Sequence, residues 1–156
     1  MPRRPSSLLG AAILLGVAAC ASVPVETDRT VAGDPAEVRS RIEAEIIRLG
    51  FTRTTDGTSG VVTASRSGTP AAWMSCVPEI VGQEDPERRM VTVQSRHGTV
   101  RVTLEPAAGG TRVVIATDFT GTYRNPYTTY PFEKPCRSTG VVESRLFAAA
   151  SAGPTS

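Results

Sequence analysis

Three cysteines, one histidine and a cluster of carboxylates bound the chemistry open to this 156-residue chain. His97 is the only histidine, which excludes a two-histidine zinc site. It precedes Gly98, and the pair reads as a hairpin turn rather than the setting of a general base. Glu84, Asp85 and Glu87 stand beside Arg88 and Arg89. Two carboxylates could do the acid–base work of a glycosidase, but that needs a defined spatial separation, and a run mixed with arginines reads as a solvated loop. Ser65, Ser75 and the other serines lack the G-x-S-x-G setting of a hydrolase nucleophile. Gly57–Gly60 and Gly109-Gly110 are turn glycines without phosphate-loop spacing. The residues therefore predict no catalytic centre, no metal site and no cofactor.

The N-terminal residues have a clearer chemistry. Arg3 and Arg4 form a short positive segment, and Leu8 to Ala19 carry no charge. That apolar run has the length of a secretory leader and falls short of the roughly 20 residues that span a bilayer. It ends in Val17-Ala18-Ala19-Cys20, which resembles the lipobox of bacterial lipoproteins. The resemblance implies cleavage ahead of Cys20 and a diacylglyceryl group on its thiol, with the new amine acylated in turn. Several acyl chains anchor a protein stably where one binds marginally. Alanine at position 21 implies, within that family, the periplasmic face of an outer membrane. A rival stays open: Ala19-Cys20-Ala21 also fits an ordinary signal-peptidase site, which would release the protein without Cys20.

An exported chain meets an oxidising compartment. With Cys20 assigned to the leader junction, Cys76 and Cys136 are left as a pair, and neither has a C-x-x-C partner; a disulfide is the expectation. Trp73 precedes Cys76 by three residues, and Tyr123, Tyr127, Tyr130 and Phe132 precede Cys136. The bridge would bring these rings together as a candidate surface for a partner protein, peptide or glycan. The alternative is that they fill a small accessory core beneath two long loops. Both readings stay open on the sequence.

Composition narrows the partners. The chain has 17 basic and 15 acidic residues, and its leader holds two of the basic ones, leaving 15 of each in the mature part. A neutral domain with no basic stripe is not built for nucleic acid. Lys134 is the only lysine.

These residues need elements to hold them. Positions 1–19 read as leader, 20–33 as lipidated cysteine and polar tether, 34–150 as one domain and 151–156 as a tail. Asp34, Pro35 and Glu37 give a helix start, Val38, Ile42, Ile46 and Leu49 (with Ile47 beside them) its apolar side, and Gly50 its stop. Strands are expected near Phe51–Thr55 and Val61–Arg66, then a loop over 67–88. Met90–Ser95 and Thr99–Glu105 read as strands joined through His97-Gly98, followed by Thr111–Thr120 and a second loop over 121–137. Ser138-Thr139-Gly140 offers caps for a closing helix lined by Val142, Leu146, Ala149 and Ala150.

Alternation on the later strands and short turns between them predict an α+β fold. It is a single two-layer domain, with an antiparallel sheet of about four to five strands covered by an N-terminal and a C-terminal helix. This order resembles the helix-grip-like domains of the lipoprotein C subunit of the β-barrel assembly machinery. It is also similar to proteobacterial envelope lipoproteins that end in a cysteine, a Ser-Thr-Gly and a short helix, as Cys136 to Ala150 does. Fold analogy does not assign function. The expected function is a membrane-anchored, non-catalytic interaction or structural module of the cell envelope, with an envelope protein or peptide as partner. The alternative is a carrier of a small apolar ligand or lipid between sheet and helices.

Overall fold

The first helix forms where its ends are written. In the computed structural model, which describes residues 25–54, 60–76, 91–124 and 130–153, helix α1 spans Pro35–Arg48. The Asp34 Oδ1 accepts from the amides of Ala36 and Glu37 at 2.8 and 3.1 Å. Pro35 takes the first position, where a missing N–H removes no helical bond. At the other end Gly50 is left-handed, with φ +75°. Its amide donates to the Ile47 carbonyl at 2.8 Å, and the Phe51 amide to Ile46 at 3.1 Å. These are the two bonds of a Schellman closure, and they turn Phe51 inward. Val38, Ile42, Ile46 and Leu49 are buried as the spacing predicts, while Ile47 is exposed. Each fully buried aliphatic chain stabilises the fold by roughly 1.5–3 kcal/mol.

Helix α2 spans Val141–Ser151 and starts differently from expectation. Gly140 occupies the cap position in a left-handed conformation, φ +83°, with no side-chain cap. The hydroxyls that could cap the helix are engaged elsewhere: Ser138 Oγ accepts from the Gly140 amide, and Thr139 Oγ1 donates to the Ala72 carbonyl. Val142, Leu146 and Ala150 are buried as predicted; Ala149 is half-buried, and Glu143 and Phe147 join the interior.

Among the described residues, seven antiparallel strands make one sheet: β1 (Asp28–Val31), β2 (Thr52–Thr54), β3 (Val61–Ser67), β4 (Met74–Ser75), β5 (Thr92–Ala107), β6 (Gly110–Arg124) and β7 (Phe132–Ser138). Their order is β2-β3-β5-β6-β7-β4, with β1 also on β6. Strands β1 and β7 share the edge of β6 away from β5, β1 opposite Thr111–Val114 and β7 opposite Phe119–Tyr123. The fold is thus α+β with an antiparallel sheet and two helices, but with seven strands where four to five were expected.

The additional strands come from segments that read as irregular. Asp28–Val31 lies within the expected tether. Only Val31 of the four is buried, so no alternation marks the strand, and β6 supplies its order. The expected loop over 121–137 holds the end of β6 and β7 up to Arg137, so Cys136 sits in a strand. The expected loop over 67–88 begins as a strap. Amides of Gly68 and Thr69 donate to the Arg96 carbonyl, a 3-10 turn covers Ala71–Trp73, and β4 reaches β7 opposite Arg137 and Ser138.

One expected turn is absent. His97 and Gly98 lie inside the continuous strand β5. A Cβ on Gly98 would stand 2.8 Å from Phe119 Cε1, so this glycine makes room for the ring of its cross-strand partner. The turn expected around Gly109-Gly110 is present, at Ala108-Gly109. There a Cβ on Gly110 (φ +147°) would lie 2.0 Å from the Val31 carbonyl oxygen, and only glycine lets β1 approach.

One sheet face carries the core. Val62, Ala64, Val100, Val102, Leu104, Val113, Ile115 and Phe119 meet the apolar sides of both helices in a single cluster, joined by Met74 of the strap. The opposite face presents Arg101, Ala116 and Asp118 to solvent, as the alternation predicts.

Candidate functional site: a disulfide-pinned aromatic edge

The strap is held at its far end by the expected bridge. Cys76 and Cys136 are bonded, with S–S 2.03 Å and Cα–Cα 4.5 Å, across a separation of 60 residues. Around it the predicted aromatic set divides into two groups.

Trp73 and Tyr123 turn inward. The Trp73 ring stacks on Phe51 at 6.0 Å and 9°, and the Arg66 guanidinium lies 5.0 Å over the Trp73 ring. The same guanidinium donates to the Leu49 carbonyl, closing the C-terminal end of α1. Trp73 packs against the main core and is partly buried. Tyr123 is wholly buried. Its ring stacks on Phe132 at 5.5 Å and 12°, and its hydroxyl is 3.9 Å from Cys136 Sγ. Gly121 leaves the space, since a Cβ there would stand 3.0 Å from Tyr123 Cε2 and 3.2 Å from Cys136 Sγ. Tyr123 therefore cannot touch a partner directly, which corrects its place in the expected surface.

Phe132 and Tyr130 stay outside. Phe132 is 37% exposed and Tyr130 79%. The Lys134 ammonium sits 5.9 Å over the Phe132 ring. Tyr127, the acidic run Glu84–Glu87 and Cys20 lie outside the described residues. The bridge thus brings strap and β7 together, and among the described residues it leaves two rings and the Lys134 cation at the surface of one edge.

Two buried carboxyls were not singled out by sequence reasoning. Glu45 of α1, 4% exposed, accepts from Arg48 Nη1 at 2.5 Å and from Arg145 Nε and Nη2 of α2 at 2.9 and 2.7 Å. It ties the two helices together. Glu143, 2% exposed, accepts from Thr117 Oγ1 at 2.5 Å through one oxygen, and its other oxygen has no partner. A signal existed: Glu143, Phe147 and Ala150 are spaced as one helical stripe. His97 lies exposed on the solvent face of β5, opposite Ser67 and Thr120.

On the β1 side, Arg112 pairs with Asp28 at 2.6 Å and Glu105 at 3.5 Å. The hydrogen bonds from Arg112 hold the Asp28 carboxyl below the usual carboxylate range. Glu26 is lowered likewise by its bonds from Arg29, whose guanidinium also lies 4.7 Å over the Phe147 ring. Among the described residues no three His, Cys, Asp or Glu side chains gather as metal ligands would. A half-open groove of about 400 Å³ at the start of α1 is lined by Pro35, Ala36, Arg39, Gly60, Leu104 and Pro106. It lies at the rim of the sheet, and Arg39 there is already paired with Glu43 at 2.7 Å. No family model, curated protein or solved structure matches the chain.

Proposed function

We propose that this chain is a lipid-anchored protein of the bacterial cell envelope, held at the periplasmic face of the outer membrane through Cys20. Its α+β domain, which we liken to a helix-grip arrangement, serves there as a non-catalytic interaction module for an envelope protein or peptide. The observation that carries this reading is the leader, which ends at a cysteine preceded by small residues. The disulfide supports it: with Cys76 and Cys136 bonded to each other, Cys20 is the one thiol left for a lipid. What supports a surface role is the interior, where the described side chains between sheet and helices form one buried cluster.

The reading is tested by expressing the full chain and its Cys20→Ser variant in a two-membrane bacterium. The unaltered protein is expected in the outer-membrane fraction and the variant out of it. Equal release of both into the soluble fraction would refute the anchor. Proteins that co-purify with the lipidated form then identify the partner.

A further inference from the structure

Four large apolar side chains are exposed among the described residues, and three of them, Tyr130, Phe132 and Val141, lie on or beside β7 and in the first turn of α2. Lys134 and Arg137 on the same strand are also exposed. One edge of β7 pairs with β6, and the other is met by β4 only at Arg137 and Ser138. Among the described residues, the rest of that edge, about 15 Å at the usual rise per residue, has no paired strand.

The chain from Cys20 arrives at this same side of the sheet. The Ile115 amide donates to the Thr27 carbonyl at 2.8 Å, and Val25 packs on Gly140, where a Cβ would lie 3.5 Å from its Cγ2. Gly140 joins β7 to α2. Cys20 is five residues before Val25, a reach of roughly 18 Å at full extension. A lipid on Cys20 therefore fixes the junction of β7 and α2 within that distance of the bilayer. So short a leash keeps that side of the domain at high local concentration against the surface.

We propose that the β7 edge rests on the phospholipid interface. The Phe132 and Tyr130 rings sit at the boundary of headgroups and acyl chains, and Lys134, on the same side of the strand as Phe132, turns to the lipid phosphates. Aromatic rings with a polar tip or a neighbouring cation belong at that depth, and basic side chains beside them are drawn to anionic headgroups. The solvent face of the sheet and Ile47 of α1 are then left for the envelope partner. This inference rests on the lipid-anchor reading above.

The test uses the full lipidated protein in vesicles of phosphatidylglycerol and phosphatidylcholine with acyl chains brominated near the headgroup. Trp73 is the only tryptophan, so a Trp73→Phe background, which keeps a ring on Phe51, carries a single reporter as Tyr130→Trp or Arg101→Trp. Emission from position 130 is expected to be roughly halved by the bromines, and that from position 101 unchanged. Equal quenching at both positions, or none at 130, overturns the proposal and leaves the edge free for a protein strand. In the unsubstituted chain, Lys134 should react several-fold more slowly with a water-soluble amine-reactive ester than it does in the Cys20→Ser protein beside the same vesicles. Equal rates overturn the proposal without any change at the edge. The intact mass separates the two readings. Protein lacking acyl mass at Cys20 defeats the anchor itself, whereas lipidated protein with an unquenched reporter defeats only the apposition.

Discussion

Glu143 enters the interior with a hydrogen bond to one of its two oxygens, and Thr117 supplies it. A buried polar group that loses its only partner costs more than the bond was worth, whereas removing both partners together can be nearly neutral. Thr117→Val should therefore destabilise the domain by about 1–3 kcal/mol, and Thr117→Val with Glu143→Met should recover most of that loss. Urea unfolding of the two single variants and the double measures the coupling; additive losses would mean that the contact carries no weight. Asp28 sits at the opposite extreme, exposed and paired with Arg112. Because its carboxyl is held below the usual range, its contribution is present above the ordinary carboxylate pKa and is lost as pH falls through the lowered one. A carbon-13 titration should place Asp28 below an ordinary exposed aspartate, and Arg112→Ala should return it to the ordinary value. Residue-scale signals of this kind were partly legible. The Asp34 cap and Gly50 stop act within one turn of chain, so their residue types suffice to locate them. Gly98 does not act locally: its neighbour is Phe119 across the strands, and the same glycine reads equally well as a turn.

At the scale of elements, the lesson is about which strands depend on others. Val100–Leu104 of β5 and Val113–Phe119 of β6 show their own apolar alternation and β3 a β-rich composition, and each could be placed from that, although the expected turn at His97-Gly98 broke β5 in two. Strands β1, β4 and β7 are short or mostly exposed, and each is ordered by pairing with a strand far away in sequence, such as Asp28 with Val114 and Met74 with Ser138. Periodicity has nothing to report there. The disulfide is the exception, since two cysteines in an exported chain predict a long-range contact without any periodicity. It joins the strap to β7 and closes a loop of 60 residues. In the chain-entropy treatment such a loop stabilises the fold by about 4 kcal/mol. A Cys76→Ser, Cys136→Ser variant should lose stability of that order and expose the strap first, seen as a change in Trp73 emission ahead of global unfolding. Coincident loss of both signals would place the strap in the same cooperative unit as the sheet. The aromatic set was legible as a cluster but not as two layers. Burial of Tyr123 and Trp73 depends on Gly121 and Phe51, which lie outside the aromatic runs.

For the whole molecule, the charge balance beyond Arg3 and Arg4, the paired cysteines and the proposed leader bear on one question: where the domain is held. Under the proposed anchoring, Arg3 and Arg4 go with the leader and take the excess positive charge, and the bridge consumes two of the three thiols. What remains at Cys20 decides whether the β7 edge has a membrane to rest on and whether the polar sheet face looks toward other envelope components. The intact mass of the protein recovered from its native host, recorded with and without reductant, addresses this directly. The expected result is a mature chain beginning at Cys20, heavier by a diacylglyceryl group and an amide-linked acyl chain, and a gain of two hydrogens on reduction of Cys76–Cys136. A mature chain beginning at unmodified Ser22 would contradict it.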